Sequence, residues 1–100
     1  MAFKIIWSSL AIKTYIENIE YVQKKWTEKE AEKFASAVQR KLQLLLMNPN
    51  IGSPTSKRKN VRKAVVHKRV TLIYRFMPNK KEIELLRFWG TYQNPRRLKP

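Results

Sequence analysis

The segment 61–76 constrains the fold of this chain more than any other stretch. It holds two β-prone runs, residues 61–66 and 70–76, which are joined only by the polar tripeptide His67-Lys68-Arg69. In the second run every other residue is large and apolar, which gives one face made of Val70, Leu72, Tyr74 and Phe76. Two such runs with a compact polar joint predict an antiparallel β-hairpin.

A third β-prone run, residues 82–89, follows the hairpin after a turn at residues 78–81. Three consecutive strands predict a meander, and a meander of this size is stable only when another layer covers its apolar face. Glu82 and Glu84 open the third strand, and we expect them to be charges that protect a sheet edge from aggregation. The first half of the chain has to supply the covering layer.

A first helix is predicted after Ser8 and Ser9, because either hydroxyl can cap its N-terminus. Apolar residues recur along it at three- and four-residue steps and form one stripe, which comprises Ala11, Ile12, Tyr15, Ile16, Ile19, Val22 and Trp26. We expect the tyrosine and the tryptophan of this stripe to lie in the core rather than to bind a ligand.

A second helix is predicted to begin at Thr27, which forms a capping-box pattern with Glu30. It is predicted to stop at Asn48-Pro49, because Pro49 excludes the preceding residue from helical geometry. Its apolar stripe comprises Ala31, Phe34, Ala35, Val38, Leu42 and Leu45. Two amphipathic helices with so short a connection predict an antiparallel helical hairpin whose inner faces pack on the sheet.

The chain opens with a short β-prone segment, residues 3–7, which fits a strand buried on both faces or one placed beside the meander. The predicted order is therefore β-α-α-β-β-β. This is an α+β fold in which an antiparallel helical hairpin packs on one face of a small, largely antiparallel sheet. With 100 residues, the chain is expected to form a single domain, residues 1–100.

Composition narrows the classes of function. The chain has no cysteine and one histidine, so we expect neither a disulfide nor a metal site, and nothing in the sequence implies a cofactor. The apolar start is too short for a signal peptide, and the longest later apolar run, residues 44–47, is far too short to span a membrane. We therefore expect a cytoplasmic protein with no membrane partner.

The net charge of +15 is placed unevenly along the chain. Residues 1–50 contain 8 Lys or Arg and 5 Glu, whereas residues 51–100 contain 14 Lys or Arg and 2 Glu. A generally basic, soluble surface is one interpretation of this charge. The asymmetry favours a polyanionic partner instead, either a nucleic acid or an acidic protein segment.

Several motifs come in a recognisable order. A first strand ending in Trp7 and a helical hairpin are followed by the exit segment 45–54 (LLMNPNIGSP), Val61-Arg62, the run 72–75 (LIYR) and the ending 88–98 (FWGTYQNPRRL). In this order and spacing the chain resembles the RelE/ParE superfamily of toxins from bacterial type II toxin–antitoxin systems, including plasmid stabilisation proteins. The resemblance covers nearly the whole chain.

The resemblance implies a compact toxin that a cognate antitoxin neutralises by wrapping an extended segment and a helix around it. ParE-like members poison DNA gyrase, whereas RelE-like members cut messenger RNA in the ribosomal decoding site. An antitoxin with leucines and carboxylates would suit an apolar, basic surface on the uncovered side of the sheet. A homodimer would cover the same surface.

A nuclease of this kind needs cations around the scissile phosphate and a group that moves protons. Arginine suits the first role because its planar fork donates two hydrogen bonds. The catalytic candidates are Arg62, Arg75 and Arg87 on or beside the strands, and Tyr92, which follows the last strand near where RelE-like nucleases place a catalytic tyrosine or histidine.

Other features favour a ParE-like toxin that is not a nuclease. The lone His67 falls at the hairpin joint, where we expect an exposed turn residue with no carboxylate nearby, and no acidic residue lies between Glu32 and Glu82. The long helical hairpin is also more like ParE. We therefore place the ParE-like interpretation first and the RelE-like nuclease second.

A third interpretation is a non-toxic basic module that binds nucleic acid with strong salt dependence. For either nucleic acid or a protein target, the predicted binding residues are cations in the loop before the hairpin, at the hairpin joint and in the final segment, which are Lys57, Arg58, Lys59, Lys68, Arg69, Arg96 and Arg97. The loop around residues 57–59 fits a phosphate-contacting loop as well as a solvated one.

Overall fold

The computed structural model describes residues 3–55, 58, 60–68 and 70–90. Its elements in chain order are β1 (Lys4–Trp7), α1 (Ser9–Lys25), α2 (Glu28–Met47), a 3-10 turn (Pro49–Ile51), β2 (Ser53–Pro54), β3 (Val61–His67), β4 (Val70–Met77) and β5 (Glu82–Gly90). The strands lie in the order β1-β5-β4-β3-β2, with β1 parallel to β5 and the other neighbours antiparallel. The predicted α+β fold is confirmed, and β2 adds a short strand within the exit segment.

Both helices begin and end where local side chains meet the needs of their termini. The Ser8 hydroxyl accepts a hydrogen bond from the Ala11 amide at 2.9 Å, and the Thr27 hydroxyl accepts one from the Glu30 amide at 3.0 Å. These contacts satisfy amide groups that a helix N-terminus leaves unpaired. α2 ends at Met47, before Asn48 and Pro49, as the sequence predicts.

The predicted buried stripe of α1 is wrong in part. Ala11 and Val22 are buried, but the other two buried residues of α1 are Thr14 and Asn18, while Ile12, Ile16 and Trp26 are exposed. The reason is an unpaired stretch of β5. β1 ends opposite Leu85, so the Phe88 backbone has no strand partner on that side. The Thr14 hydroxyl accepts from the Phe88 amide at 2.9 Å, and the Asn18 side-chain amide donates to the Phe88 carbonyl at 3.1 Å.

The core lies between the helices and one face of the sheet, which we call the covered face. Phe34, Val38 and Leu45 of α2 are at most 1% exposed, and α2 follows its predicted stripe with Ala35 only half-buried. Against them pack the buried sheet residues Ala64, Val66, Val70, Leu72, Tyr74, Ile83, Leu85 and Phe88. Full burial of each large apolar side chain contributes about 1.5–3 kcal/mol to folding.

The exit segment after α2 is held against the covered face by Tyr74. Its hydroxyl accepts a hydrogen bond from the Gly52 amide at 3.0 Å and donates one to the Pro49 carbonyl at 2.7 Å. A Cβ at residue 52 would lie 2.5 Å from the Tyr74 hydroxyl and 2.8 Å from the Lys63 carbonyl, so only glycine fits. Burial raises the pKa of the Tyr74 hydroxyl, against smaller opposing effects of the Gly52 amide and Arg62.

The opposite side of the sheet carries no helix from the described residues, and we call it the open face. Strand pairing places on it Lys63, Val65, Thr71, Ile73, Arg75, Glu84, Arg87 and Trp89. β5 lies between β1 and β4, so it is an interior strand. The expectation that Glu82 and Glu84 guard a sheet edge is therefore wrong.

Candidate functional site on the open face

Two of the predicted site residues, Arg75 and Arg87, lie on the open face. They come from the neighbouring strands β4 and β5, and Arg87 lies opposite Ile73, two residues along β4 from Arg75. Alternation along each strand turns both guanidinium groups to the same side. A register irregularity between Ile73 and Tyr74 makes this possible, because it shifts the face of β5 residues after Leu85.

Arg75 is bound to a carboxylate that the sequence alone did not assign to the site. Glu84 lies directly opposite Arg75, and the Arg75 Nη2 donates to the Glu84 Oε1 at 2.6 Å. The two side chains are 43% and 24% exposed, so water screens the pair in part. The ion pair fixes the direction of the Arg75 guanidinium and leaves its Nε–H group unused.

The described open face contains three buried N–H donors that have no acceptor. They are the Nε of Arg75, the Nε of Arg87 and the Nε1 of Trp89, which lies opposite Thr71. A buried donor without a partner costs about 1–3 kcal/mol, and native proteins keep few of them. Three of them on neighbouring strands make this face a candidate site for a ligand that supplies acceptors, such as a carboxylate, a phosphate or a peptide carbonyl.

Arg62 does not join this group. It lies opposite Tyr74 on the covered face, where its Nη1 donates to the Gly52 carbonyl at 2.6 Å and to the Asn50 carbonyl at 3.4 Å. These contacts make it a support for the exit segment. The sheet thus separates Arg62 from Arg75 and Arg87.

Two of the cations predicted to bind nucleic acid or a protein target are described by the structure. Arg58 is exposed in the loop before β3, and Lys68 is exposed in the turn between β3 and β4. The Lys68 Nζ lies 5.5 Å from the centre of the Trp26 ring and 4.0 Å from a Glu30 oxygen. The remaining predicted residues lie outside the described part of the chain; they are Lys57, Lys59, Arg69, Tyr92, Arg96 and Arg97.

His67 differs from its predicted environment. It is half-buried rather than exposed, and its ring meets the Phe34 ring edge-on with centres 5.4 Å apart. Burial lowers its pKa, and Lys68 acts in the same direction, whereas Glu30 opposes both. The nearby carboxylate comes from α2, 37 residues earlier in the chain, which is why the sequence around His67 does not show it.

The described open face carries guanidinium, carboxylate and indole groups, all of which can bind a ligand. Histidine and tyrosine are absent there, since His67 and Tyr74 lie on the covered side and Tyr15 and Tyr21 lie on α1. Glu84 is bound to Arg75. Among the described residues no group of His, Cys, Asp or Glu side chains is arranged to hold a metal ion. Neither described helix has the length and apolarity that crossing a membrane requires.

The sequence profile of the ParE toxin of type II toxin–antitoxin systems (parDE) matches residues 5–95 of the chain. Among solved structures, the fold is similar to a chain of the chromosomal ParDE system of P. aeruginosa, with a TM-score of 0.71 and 18% identity over 88% of this chain and 95% of that chain. No curated protein sequence matches.

Two further structures share the fold. A chain of the intact E. coli RelBE toxin–antitoxin complex gives a TM-score of 0.64 with 16% identity over 93% of this chain and 100% of that chain. A chain of the E. coli DinJ-YafQ complex gives a TM-score of 0.54 with 20% identity over 90% and 94%, respectively. At these identities the structural likeness establishes the fold and not the target.

Proposed function

This chain belongs to the ParE toxin family of type II toxin–antitoxin systems, and on that premise we propose that it acts by binding a protein target such as DNA gyrase rather than by cutting RNA. The long helical hairpin, with helices of 17 and 20 residues, supports this proposal. Gyrase acts on DNA in the cytoplasm, so the proposed location is cytoplasmic.

The observation that carries the proposal is the open face itself. Arg75, Arg87 and Trp89 offer buried donors that have no acceptor among the described residues, which suits recognition of carboxylate or carbonyl groups on a protein surface. RNA cleavage without a metal also requires a proton acceptor close to the phosphate. The described open face has neither histidine nor tyrosine for that role.

The same face is the proposed contact for a cognate antitoxin. Structures of ParDE, RelBE and DinJ-YafQ are of toxin–antitoxin systems or complexes. An antitoxin segment that combines apolar side chains with carboxylates would fit Ile73 together with the donors of Arg75 and Arg87. A second copy of the chain is the alternative occupant. An occupant of this face would accept hydrogen bonds from the unpaired donors and would block access of the target.

A RelE-like endoribonuclease is the second candidate, and the paired position of Arg75 and Arg87 favours it. Two guanidinium groups on adjacent strands could hold a phosphate. Tyr92, two residues after the end of β5, would then supply the ring for base stacking or proton transfer. In this candidate Arg62 would act only by supporting the exit segment, because it lies on the other face.

The two candidates are separated by paired assays on the same purified protein. One assay measures supercoiling by DNA gyrase, and the other measures cleavage of a defined message on programmed ribosomes. The variants are Arg87→Ala on the open face and, as a matched control, Lys13→Ala on the exposed side of α1. Growth of cells that produce each variant gives the effect on toxicity.

The ParE-like proposal predicts inhibited gyrase, intact message and a loss of inhibition of at least about tenfold in Arg87→Ala, since removing a charged hydrogen bond costs about 1.5–3 kcal/mol. Lys13→Ala should behave as wild type. Cut messages with unaffected gyrase would establish the nuclease instead. If Arg87→Ala is as toxic as wild type, the open face takes part in neither function.

A further inference from the structure

A groove outside the open face runs along α2 beside the turn between β3 and β4. It has a volume of about 610 Å³ and is open to solvent. Its walls carry Lys29, Lys33 and Arg40 from α2 and Lys68 from the turn. Neither the fold nor the proposed action on a protein target requires four cations here, because the core lies on the other side of α2.

The cations of α2 form one row. At 3.6 residues per turn, Lys29, Lys33 and Arg40 fall within about 40° of one another around the helix axis. At 1.5 Å per residue, the row extends about 16 Å from Lys29 to Arg40. Lys68 faces the row from the β3–β4 turn. The groove is therefore a linear track of positive charge, which matches a linear chain of negative groups.

Part of the charge in the groove is already neutralised, and the rest is free for a ligand. Glu30 lies 3.4 Å from the Lys33 Nζ and 4.0 Å from the Lys68 Nζ, so one carboxylate is shared between two lysines. Glu32 also lines the groove. With four cations and two carboxylates among its lining residues, the groove keeps a net charge of +2.

The lining chemistry distinguishes between two polyanions. Protein segments that dock specifically bring apolar anchors with them, and they need apolar pockets to receive these. Among the nine described residues that line this groove, only Ala37 has an aliphatic side chain, and the other eight carry polar or charged groups. A nucleic-acid strand needs no such pocket, because phosphate contacts from Lys and Arg supply most of its affinity.

An exposed aromatic ring lies next to Lys68, one of the lining residues of the groove. Trp26 is 42% exposed at the hairpin between the helices, and the Lys68 Nζ lies 5.5 Å from its ring centre. Its exposure contradicts the predicted place of Trp26 in the core. A charged track next to an exposed aromatic ring is the combination by which proteins bind single strands, with phosphates on the cations and a base on the ring.

We propose that the groove between α2 and the β3–β4 turn binds a single strand of RNA or DNA, with its phosphates along Lys29, Lys33 and Arg40 and a base on Trp26. This site is separate from the open face and goes beyond the proposed action on a protein target. Binding at this groove would bring the toxin close to the nucleic acid on which its target acts, which is DNA for gyrase and messenger RNA for the ribosome.

Binding is measured by fluorescence anisotropy with a labelled 20-nucleotide oligo-dT and an oligo-rU of equal length, over a series of salt concentrations. The test variant combines Lys33→Gln with Arg40→Gln. The control combines Lys13→Gln with Lys80→Gln, which removes the same charge from exposed positions on α1 and in the β4–β5 turn. Circular dichroism verifies that both variants are folded.

Each phosphate contact on a single strand contributes about −0.7 to the slope of log K against log salt. The test variant should therefore have a slope shallower by about 1.4 and an affinity at 0.1 M salt lower by roughly 25-fold, while the control changes little. Equal losses in the test and control variants would overturn the site, because they would reflect net charge alone.

A second measurement separates nucleic acid from other polyanions. Trp26→Ala should weaken oligo-dT binding by at least about fivefold, since stacking on an aromatic ring contributes that much or more for each base. Binding of poly-glutamate should not change in this variant. Loss of poly-glutamate affinity in the Lys33/Arg40 variant, with oligo-dT binding unaffected by Trp26→Ala, would show an acidic-protein surface and overturn the proposal.

Discussion

The two faces of the sheet are built from alternate residues of the same strands, yet they treat polar groups in opposite ways. On the covered face, the Tyr74 hydroxyl and the Arg62 guanidinium both reach backbone groups of the exit segment. On the open face, Arg75, Arg87 and Trp89 each keep a buried N–H group without an acceptor. Among the described residues, these two polar side chains of the covered face are hydrogen-bonded to the backbone, whereas the three donors of the open face have no acceptor.

Residues whose polar groups are paired within the described chain serve stability, and we expect those with unpaired donors to contact a partner. Folding selects against unpaired buried donors, because each one lowers the free energy of unfolding. Their concentration on one described face agrees with the proposal that a partner pairs them. Substitutions on the covered face should therefore lower stability, and those on the open face should lower function.

The largest effect is expected from adjacent residues of β4 that point to opposite faces. Leu72 is fully buried, so Leu72→Ala should lower the free energy of unfolding by about 2–5 kcal/mol. Ile73 lies on the open face and is half-buried, so Ile73→Ala should lower it by roughly 1 kcal/mol. Urea denaturation measures both. Similar losses would mean that the open face is a second core surface.

Most of the fold could be predicted from the sequence because its signals are local. The alternation of Val70, Leu72 and Tyr74 fixed the faces of β4, and the hydroxyls of Ser8 and Thr27 marked the helix starts. Each of these patterns depends on residues a few positions apart. The structure confirms these predictions, and none of them depended on knowing which distant parts of the chain are in contact.

The misassigned residues depended on contacts between distant segments. Thr14 and Asn18 are buried only because β1 ends early and leaves Phe88 unpaired, which no periodicity in α1 reveals. Arg62 lies in a strand that has apolar residues on both of its faces. The sequence of this strand therefore does not show which face Arg62 occupies. Glu84 became part of the site through its pairing across the sheet with Arg75.

The next largest loss of stability is expected from a change in the exit segment, which Tyr74 holds against the covered face. Gly52→Ala would place a methyl group 2.5 Å from the Tyr74 hydroxyl, so the segment has to shift. We expect a loss of about 1–3 kcal/mol in the free energy of unfolding. Ser53→Ala, at the next and exposed position, serves as the control and should change stability little. A stable Gly52→Ala variant would show that the exit segment moves freely.

The burial of Tyr74 also predicts that the free energy of unfolding falls at alkaline pH. Burial raises the pKa of Tyr74 above its ordinary value of 10.0, so the folded state holds the phenol proton more tightly than the unfolded state. This contribution is fully present below about pH 10 and is lost as the pH rises through the folded-state pKa. Unfolding free energies measured from pH 8 to 11 should fall more steeply in wild type than in Tyr74→Phe. Parallel curves would contradict the assignment.

The smallest stability effect is expected from the ion pair on the open face, and it gives the sharpest contrast between the faces. Arg75 and Glu84 are partly exposed, so a double-mutant cycle with Arg75→Ala and Glu84→Ala should yield a coupling of about 0.2–1 kcal/mol. Toxicity should respond far more strongly to Arg75→Ala, because the variant loses both the cation and the unpaired Nε–H donor.

Glu84→Ala separates the two roles of Arg75. If Glu84 only orients the guanidinium, Glu84→Ala should reduce toxicity less than Arg75→Ala does, since the donors remain. If toxicity falls in proportion to stability in both variants, the open face contributes to folding alone, and its unpaired donors would need another explanation. A large loss of toxicity at nearly unchanged stability would place Arg75 in the contact with a partner, as its unpaired donor requires.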